Sequence, residues 1–226
     1  MVDLDFVMQG AKVERFAAAP TLLFALKVAN RTPALLVHAA MLNCQIRIEP
    51  ARRLYSALEH EQLSDLFSEP GGWSPPPPSF LWTRCGVVVP AFERECVIDL
   101  PVPCSYDFNI AATRYFYGVD DGEVPLNLLF NGSVFYGEAD GIPQIGQIAW
   151  SRESAYRLPI RVWRDMMEHY YPRSAWLCLR REVFDQLHRY KRKRGLPSYE
   201  RALEELVSDK LAQASPADPS AIRRPN

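Results

Sequence analysis

The feature that most constrains this chain is a change of hydrophobic period, from two residues to about 3.6, between Val124 and Tyr171. Val124 to Tyr136 (Val-Pro-Leu-Asn-Leu-Leu-Phe-Asn-Gly-Ser-Val-Phe-Tyr) reads as strand. A Gly-Glu-Ala-Asp-Gly reversal follows, and Ile142 to Trp150 returns as a second strand. From Pro159 the spacing becomes helical. Proline suits a first helical position, where its missing N–H is no loss, and Trp163, Met166, Met167 and Tyr170 follow at i, i+3, i+4 and i+7. The junction therefore divides a β-rich part from a helical one.

Ahead of the junction the strand signals accumulate. Asp3 to Phe16 alternates loosely through Leu4, Phe6 and Met8. In Thr21 to Asn30, Leu22, Phe24, Leu26 and Val28 share a face, and Asn30-Arg31-Thr32-Pro33 supplies a turn. Ala34 to Glu49 ends in strict alternation, with Cys44, Ile46 and Ile48 expected inward and Gln45, Arg47 and Glu49 outward. Pro50 stops that strand, and residues 51–67 fit one or two short helices. Residues 69–78 form a loop that must run extended through Pro75–Pro78. Phe80–Phe92 and Glu95–Val102 read as strands. Tyr106–Tyr117 alternates in part and carries the cluster Tyr115-Phe116-Tyr117, so it too reads as strand, closed by a turn at Asp120-Asp121-Gly122. Seven or eight short strands with a single helical interruption favour an antiparallel β-sandwich over an open α/β sheet, which needs repeated crossovers.

Behind the junction, Val183, Phe184, Leu187 and Tyr190 mark a helix ended by Gly195, and Ser198 caps another through Leu203, Leu206 and Val207. Ala175–Leu179 suits one short strand. The expected fold is mainly β with C-terminal α: one sandwich domain over residues 1–211 with about three helices (159–208) packed at one edge. A disordered Ala-, Ser-, Pro- and Asp-rich tail over 212–226 completes it.

The formal net charge of -1 gives no global attraction to nucleic acid or membrane. Residues 151–226 are nevertheless mildly basic, with 16 basic and 10 acidic side chains against 10 and 17 in residues 1–150. No apolar stretch is long enough to span a bilayer, and the acidic, alternating start Met1–Phe6 is unlike a signal peptide. With no secretion signal, the five cysteines read as reduced thiols of a cytoplasmic protein.

No reaction centre is visible. The spacings of Cys85, Cys96 and Cys104 match no zinc site, there is no Cys-x-x-Cys, and His38, His60, His169 and His188 are scattered; no metal or cofactor is expected. Asp120, Asp121 and Glu123 read as a hairpin turn rather than a calcium loop. Asn131-Gly132-Ser133 reads as a chance acceptor match. The run Arg189, Lys191, Arg192, Lys193, Arg194 reads as a solvated helix end that complements the dipole, rather than as a phosphate-binding patch. Trp150, Tyr156, Trp163, Met166, Met167, Tyr170, Tyr171 and Trp176 are more than one helix and one sheet face readily hide, so a leftover apolar patch would be a partner site.

At Cys44–Pro50, Val102–Phe108, Gly122–Leu126, Leu129–Tyr136 and Leu158–Trp163 the chain resembles a bacterial family that is a domain of unknown function. The resemblance covers roughly residues 3–207. It implies an association with gene neighbourhoods of actinobacterial-type nickel–iron hydrogenases, hence an accessory or assembly role, and it transfers no catalytic residue. The expectation is a non-enzymatic interaction protein that binds another protein through Trp163, Met166, Met167 and Tyr170. The rival is an enzyme or small-molecule binder with a pocket formed by Asp107, Tyr115, Glu123 and Arg161.

Overall fold

The computed structural model describes residues 2–69, 72–104, 110–138, 141–174 and 179–214. The chain divides into two compact units, Met1–Ala175 and Trp176–Asn226.

The first unit opens with strands β1 (Leu4–Glu14), β2 (Thr21–Asn30) and β3 (Leu36–Ile48). A 3-10 turn at Pro50–Arg52 leads to two short helices, α1 (Ala57–Gln62) and α2 (Ser64–Phe67). Two two-residue strands, β4 (Ser68–Glu69) and β5 (Gly72–Trp73), pair inside the proline-rich loop. Then come β6 (Phe80–Val89), β7 (Glu95–Pro103), helix α3 (Ile110–Gly118), β8 (Glu123–Gly137), β9 (Gln144–Pro159) and helix α4 (Ile160–Tyr170).

The strands form an antiparallel sheet β1-β2-β7 and a second one ordered β6-β3-β8-β9. Strict alternation decides which face is buried. In β2, Leu22, Phe24, Leu26 and Val28 are fully buried; in β3, Cys44, Ile46 and Ile48 point inward as the pattern requires. Val124, Leu126, Leu128 and Phe130 of β8 complete the inner layer, and Phe6 stacks on Phe130 across the sheets with ring centres 4.7 Å apart. The expected sandwich is the observed one.

Two segments differ from their pattern. Tyr106–Tyr117 was expected as strand, but α3 occupies Ile110–Gly118. Ala112, Tyr115, Phe116 and, just past the helix end, Val119 bury their side chains at i, i+3, i+4 and i+7, so helical burial outweighs the β propensity of three successive aromatics. The strand expected to stop at Trp150 runs on to Pro159. Its second half hides this because Arg152 and Ser154 take positions on the inner side, against β1. Ser154 Oγ accepts the Met8 N–H at 3.1 Å, and Arg152 pairs with Asp3.

In the second unit, α5 (Arg181–Arg194) packs on α6 (Tyr199–Ala214). Gly195 ends α5 at φ +67, a left-handed conformation that costs a Cβ-bearing residue more than glycine. Ser198 Oγ accepts the Arg201 N–H at the start of α6. All of the short strand expected at Ala175–Leu179 except Leu179, which is in no strand, and all but the first three residues of the 212–226 tail lie outside the described residues; Ala212–Ala214 continue α6.

Candidate functional site

The α4 residues expected to meet a partner are enclosed by their own unit. Trp163, Met166 and Met167 are buried. The Trp163 ring stacks on Phe116 at 5.2 Å and meets Tyr117 edge-on at the same separation. Tyr170 is half-buried and donates its hydroxyl to the Glu14 carbonyl. This is the helix–sheet seam, in which these side chains pack against their own unit.

Among the described residues of the aromatic cluster around the junction, Trp150 is left outside, 84% exposed; elsewhere Phe16 is 96% exposed. The position of Trp150 follows from a bulge. Phe130 pairs with Arg152 and Gly132 with Ile148, so Ala149, Trp150 and Ser151 together oppose the single residue Asn131. The extra residues leave the ladder and turn outward. Gly132, on the partner strand, has φ +149, and a Cβ there would stand 2.0 Å from the Met41 carbonyl oxygen. Only glycine lets β3 approach that closely beside the bulge.

Trp150 sits on a sheet edge. Among the described residues β9 pairs with no strand other than β8; β1 meets it through Met8–Ser154, Asp3–Arg152 reinforces that side, and Val2 to Leu4 face Gln147 to Ala149 across a hollow without pairing to them. The stretch from Gln144 to Ser151 therefore carries an open row of backbone groups. Ile145 (66% exposed) lies on the same stretch, and Ile142 (89%) just before it. Beside it a hollow of about 200 Å³ is lined by Val2, Leu4, Val134, Ile148 and Ala149, with Asp3 and Arg152 at its polar side. An open edge, an exposed indole and an adjacent partly apolar hollow are the elements that strand addition uses.

The rival pocket does not assemble from the residues expected to line it. Asp107 lies outside the described residues, and Glu123 and Arg161 are exposed. Tyr115 is fully buried, with its hydroxyl 2.8 Å from that of Tyr55. Burial pushes both phenols above their ordinary range, so both stay protonated at neutral pH. Next to them is a polar network that none of the sequence motifs singled out. Glu59 closes a capping box with Ser56 and pairs with Arg53, and its Oε1 also accepts the Asp120 N–H at 2.9 Å. Arg53 donates onward to the carbonyls of Asp121 (2.7 Å) and Glu123 (2.9 Å). Burial opposes the Glu59 charge, but the N–H groups of Ser56 and Asp120 and the Arg53 guanidinium outweigh it and hold the carboxyl below its ordinary range. Both carboxylate oxygens are taken by the protein itself. The network joins α1 to the turn before β8; in it Arg53 Nε is buried without a hydrogen-bond partner among the described residues.

The remaining sequence candidates lie elsewhere in the chain. In α5, Arg189, Arg192 and Lys193 are exposed, Lys191 lies 5.2 Å over the Tyr199 ring, and Arg194 pairs with Glu205, so the basic run ends a helix. His188 shares a 2.6 Å hydrogen bond with the Tyr199 hydroxyl, and His169 meets the Arg15 carbonyl. Cys44, Cys85, Cys96 and Cys104 are free thiols. Among the described residues no three His, Cys, Asp or Glu side chains could hold a metal ion, and no helix is long and apolar enough to cross a membrane.

No curated protein matches the chain. One solved structure that it resembles is β-glucosidase 3B from Thermotoga neapolitana in complex with α-D-glucose, at 13% identity and a TM-score of 0.22. The likeness covers 69% of this chain but 17% of that one, and a score so low supports no statement about fold or activity. The family comparison is different in extent, since its match runs over residues 1–215. The chain belongs to DUF6084, a family of unknown function.

Proposed function

We propose that this protein is a non-catalytic accessory protein that holds a client protein by adding one of the client's extended segments to the edge of β9. The observation that carries this reading is the open edge from Gln144 to Ser151 with Trp150 standing 84% exposed upon it. Sheet edges are ordinarily shortened, charged or covered, because uncovered ones pair with other chains. Here the edge is long, and it displays Ile145 and Trp150 instead of lysine or proline. Main-chain hydrogen bonds would supply affinity, and the hollow beside Ile148 would select a side chain. Covering the indole removes on the order of 150 Å² of apolar surface from water, about 4 kcal/mol before ordering costs.

The resemblance to a family associated with nickel–iron hydrogenase genes names the first client to try, a subunit of such an enzyme during its assembly. The test is binding of purified hydrogenase subunits to the wild type and to Trp150→Asp, with circular dichroism to check that the variant is folded. Binding that falls about 30-fold or more in the variant supports strand docking at this edge. Equal binding by both proteins refutes the docking site. A subunit that binds neither protein removes the hydrogenase client, and clients captured from cell extract are then put through the same comparison.

A further inference from the structure

Cys44 and Cys85 lie far apart in sequence, yet they are direct cross-strand partners in the β3–β6 ladder. Opposed residues of an antiparallel pair have Cα atoms about 4.5–5.5 Å apart, inside the range a disulfide spans. As direct partners in the ladder, the two side chains project to the same face of the sheet. Their surroundings differ. Cys44 is buried in the core, whereas Cys85 is partly exposed on β6, an edge strand of its sheet.

We propose that Cys44 and Cys85 form a dithiol–disulfide site that exchanges with low-molecular-weight disulfides, with Cys85 as the attacking thiol and Cys44 as the resolving one. The order follows from access, since only Cys85 can be reached from solvent without opening the sandwich. Its Cys44 neighbour holds the Cys85 thiol below its ordinary range despite burial, while the same neighbourhood and its own burial keep Cys44 protonated. In the first step the Cys85 thiolate attacks one sulfur of R–S–S–R, forming a mixed disulfide and releasing R–S⁻, which takes up the proton Cys85 gave up. In the second, Cys44 loses its proton and attacks the Cys85 sulfur, releasing the other R–S⁻ to take that proton. Two protein thiols are oxidised to one disulfide and one small disulfide is reduced to two thiols. Opposed Cβ atoms start somewhat farther apart than a relaxed disulfide prefers, so the bond is of the readily reduced kind.

The experiment exposes the folded full-length chain to graded ratios of oxidised to reduced glutathione, blocks free thiols by alkylation and maps the tryptic peptides. The expected product joins Thr32–Arg47 to Cys85–Arg94, increases with the oxidised fraction and disappears on adding reductant. Cys44→Ala should accumulate a single glutathione on Cys85, and Cys85→Ala should leave Cys44 unmodified. A wild-type chain in which both residues stay thiols, Cys85 retains glutathione, or Cys85 joins Cys96 or Cys104 overturns the assignment. The wild-type map decides this even if a variant fails to fold.

Discussion

Replacing Glu59 by Gln tests what fastens α1 to the sandwich. The Glu59 side chain is 5% exposed and that of its partner Arg53 is 11% exposed. The carboxylate accepts the Ser56 N–H at 2.9 Å, the Asp120 N–H at 2.9 Å and the Arg53 guanidinium. Glutamine keeps the shape but turns one acceptor into a donor that faces donors, and it leaves the Arg53 charge short of its counter-ion. Losing one partner of a buried pair costs about 3–5 kcal/mol; Arg53 retains its bonds to the Asp121 and Glu123 carbonyls, which favours the lower end, about 3 kcal/mol. The exposed pair Arg201–Glu204, with side chains 69% and 61% exposed, is the control, and its removal should cost under about 0.5 kcal/mol. Urea unfolding followed by circular dichroism measures both. If Glu59→Gln shifts the midpoint no more than Arg201→Ala does, the network contributes no more than a surface pair and the reasoning fails.

Two further expectations follow from the same structure. Because the folded-state pKa of Glu59 lies below its unfolded value, its contribution to stability is fully present above the unfolded pKa, about 4.3, and is lost as pH falls through the folded value. Wild-type stability should therefore drop more steeply than that of Glu59→Gln on acidification below about pH 4, and parallel curves would contradict the assignment. Trp163→Ala removes a buried ring stacked on Phe116 and should cost about 3–5 kcal/mol, whereas Trp150→Ala should change stability by less than about 0.5 kcal/mol; chemical unfolding separates the two.

Much of the fold was legible where one face of an element is uniformly buried. The alternation Cys44-Ile46-Ile48 and the spacing Trp163-Met166-Met167 each report a buried face directly. Legibility ended where burial and hydrophobicity part company. The second half of β9 turns Arg152 and Ser154 toward β1, so its period disappears from the residue types although the strand continues. In α3, β-prone aromatics sit at helical spacing, and short-range propensity points the wrong way.

The site residues show the same limit. Trp163 and Met167 are apolar and were candidates for a partner face, but residue type alone cannot separate a seam from a surface. Trp150 is exposed because of a bulge whose register depends on Gly132 and on β3 (Leu36–Ile48), which are distant from each other in sequence. The Glu59 network did carry a local signal, since Ser56-Ala57-Leu58-Glu59 has the spacing of a capping box. Its link to Asp120 is long-range and carries none.

The most direct test of the docking account is hydrogen exchange on the protein with and without a bound client. The account predicts slowed exchange of backbone amides between Gln144 and Ser151, with β6 at the opposite edge of the same sheet unchanged. Protection confined to β6 or to α5, with Gln144–Ser151 exchanging as in the free protein, would contradict it.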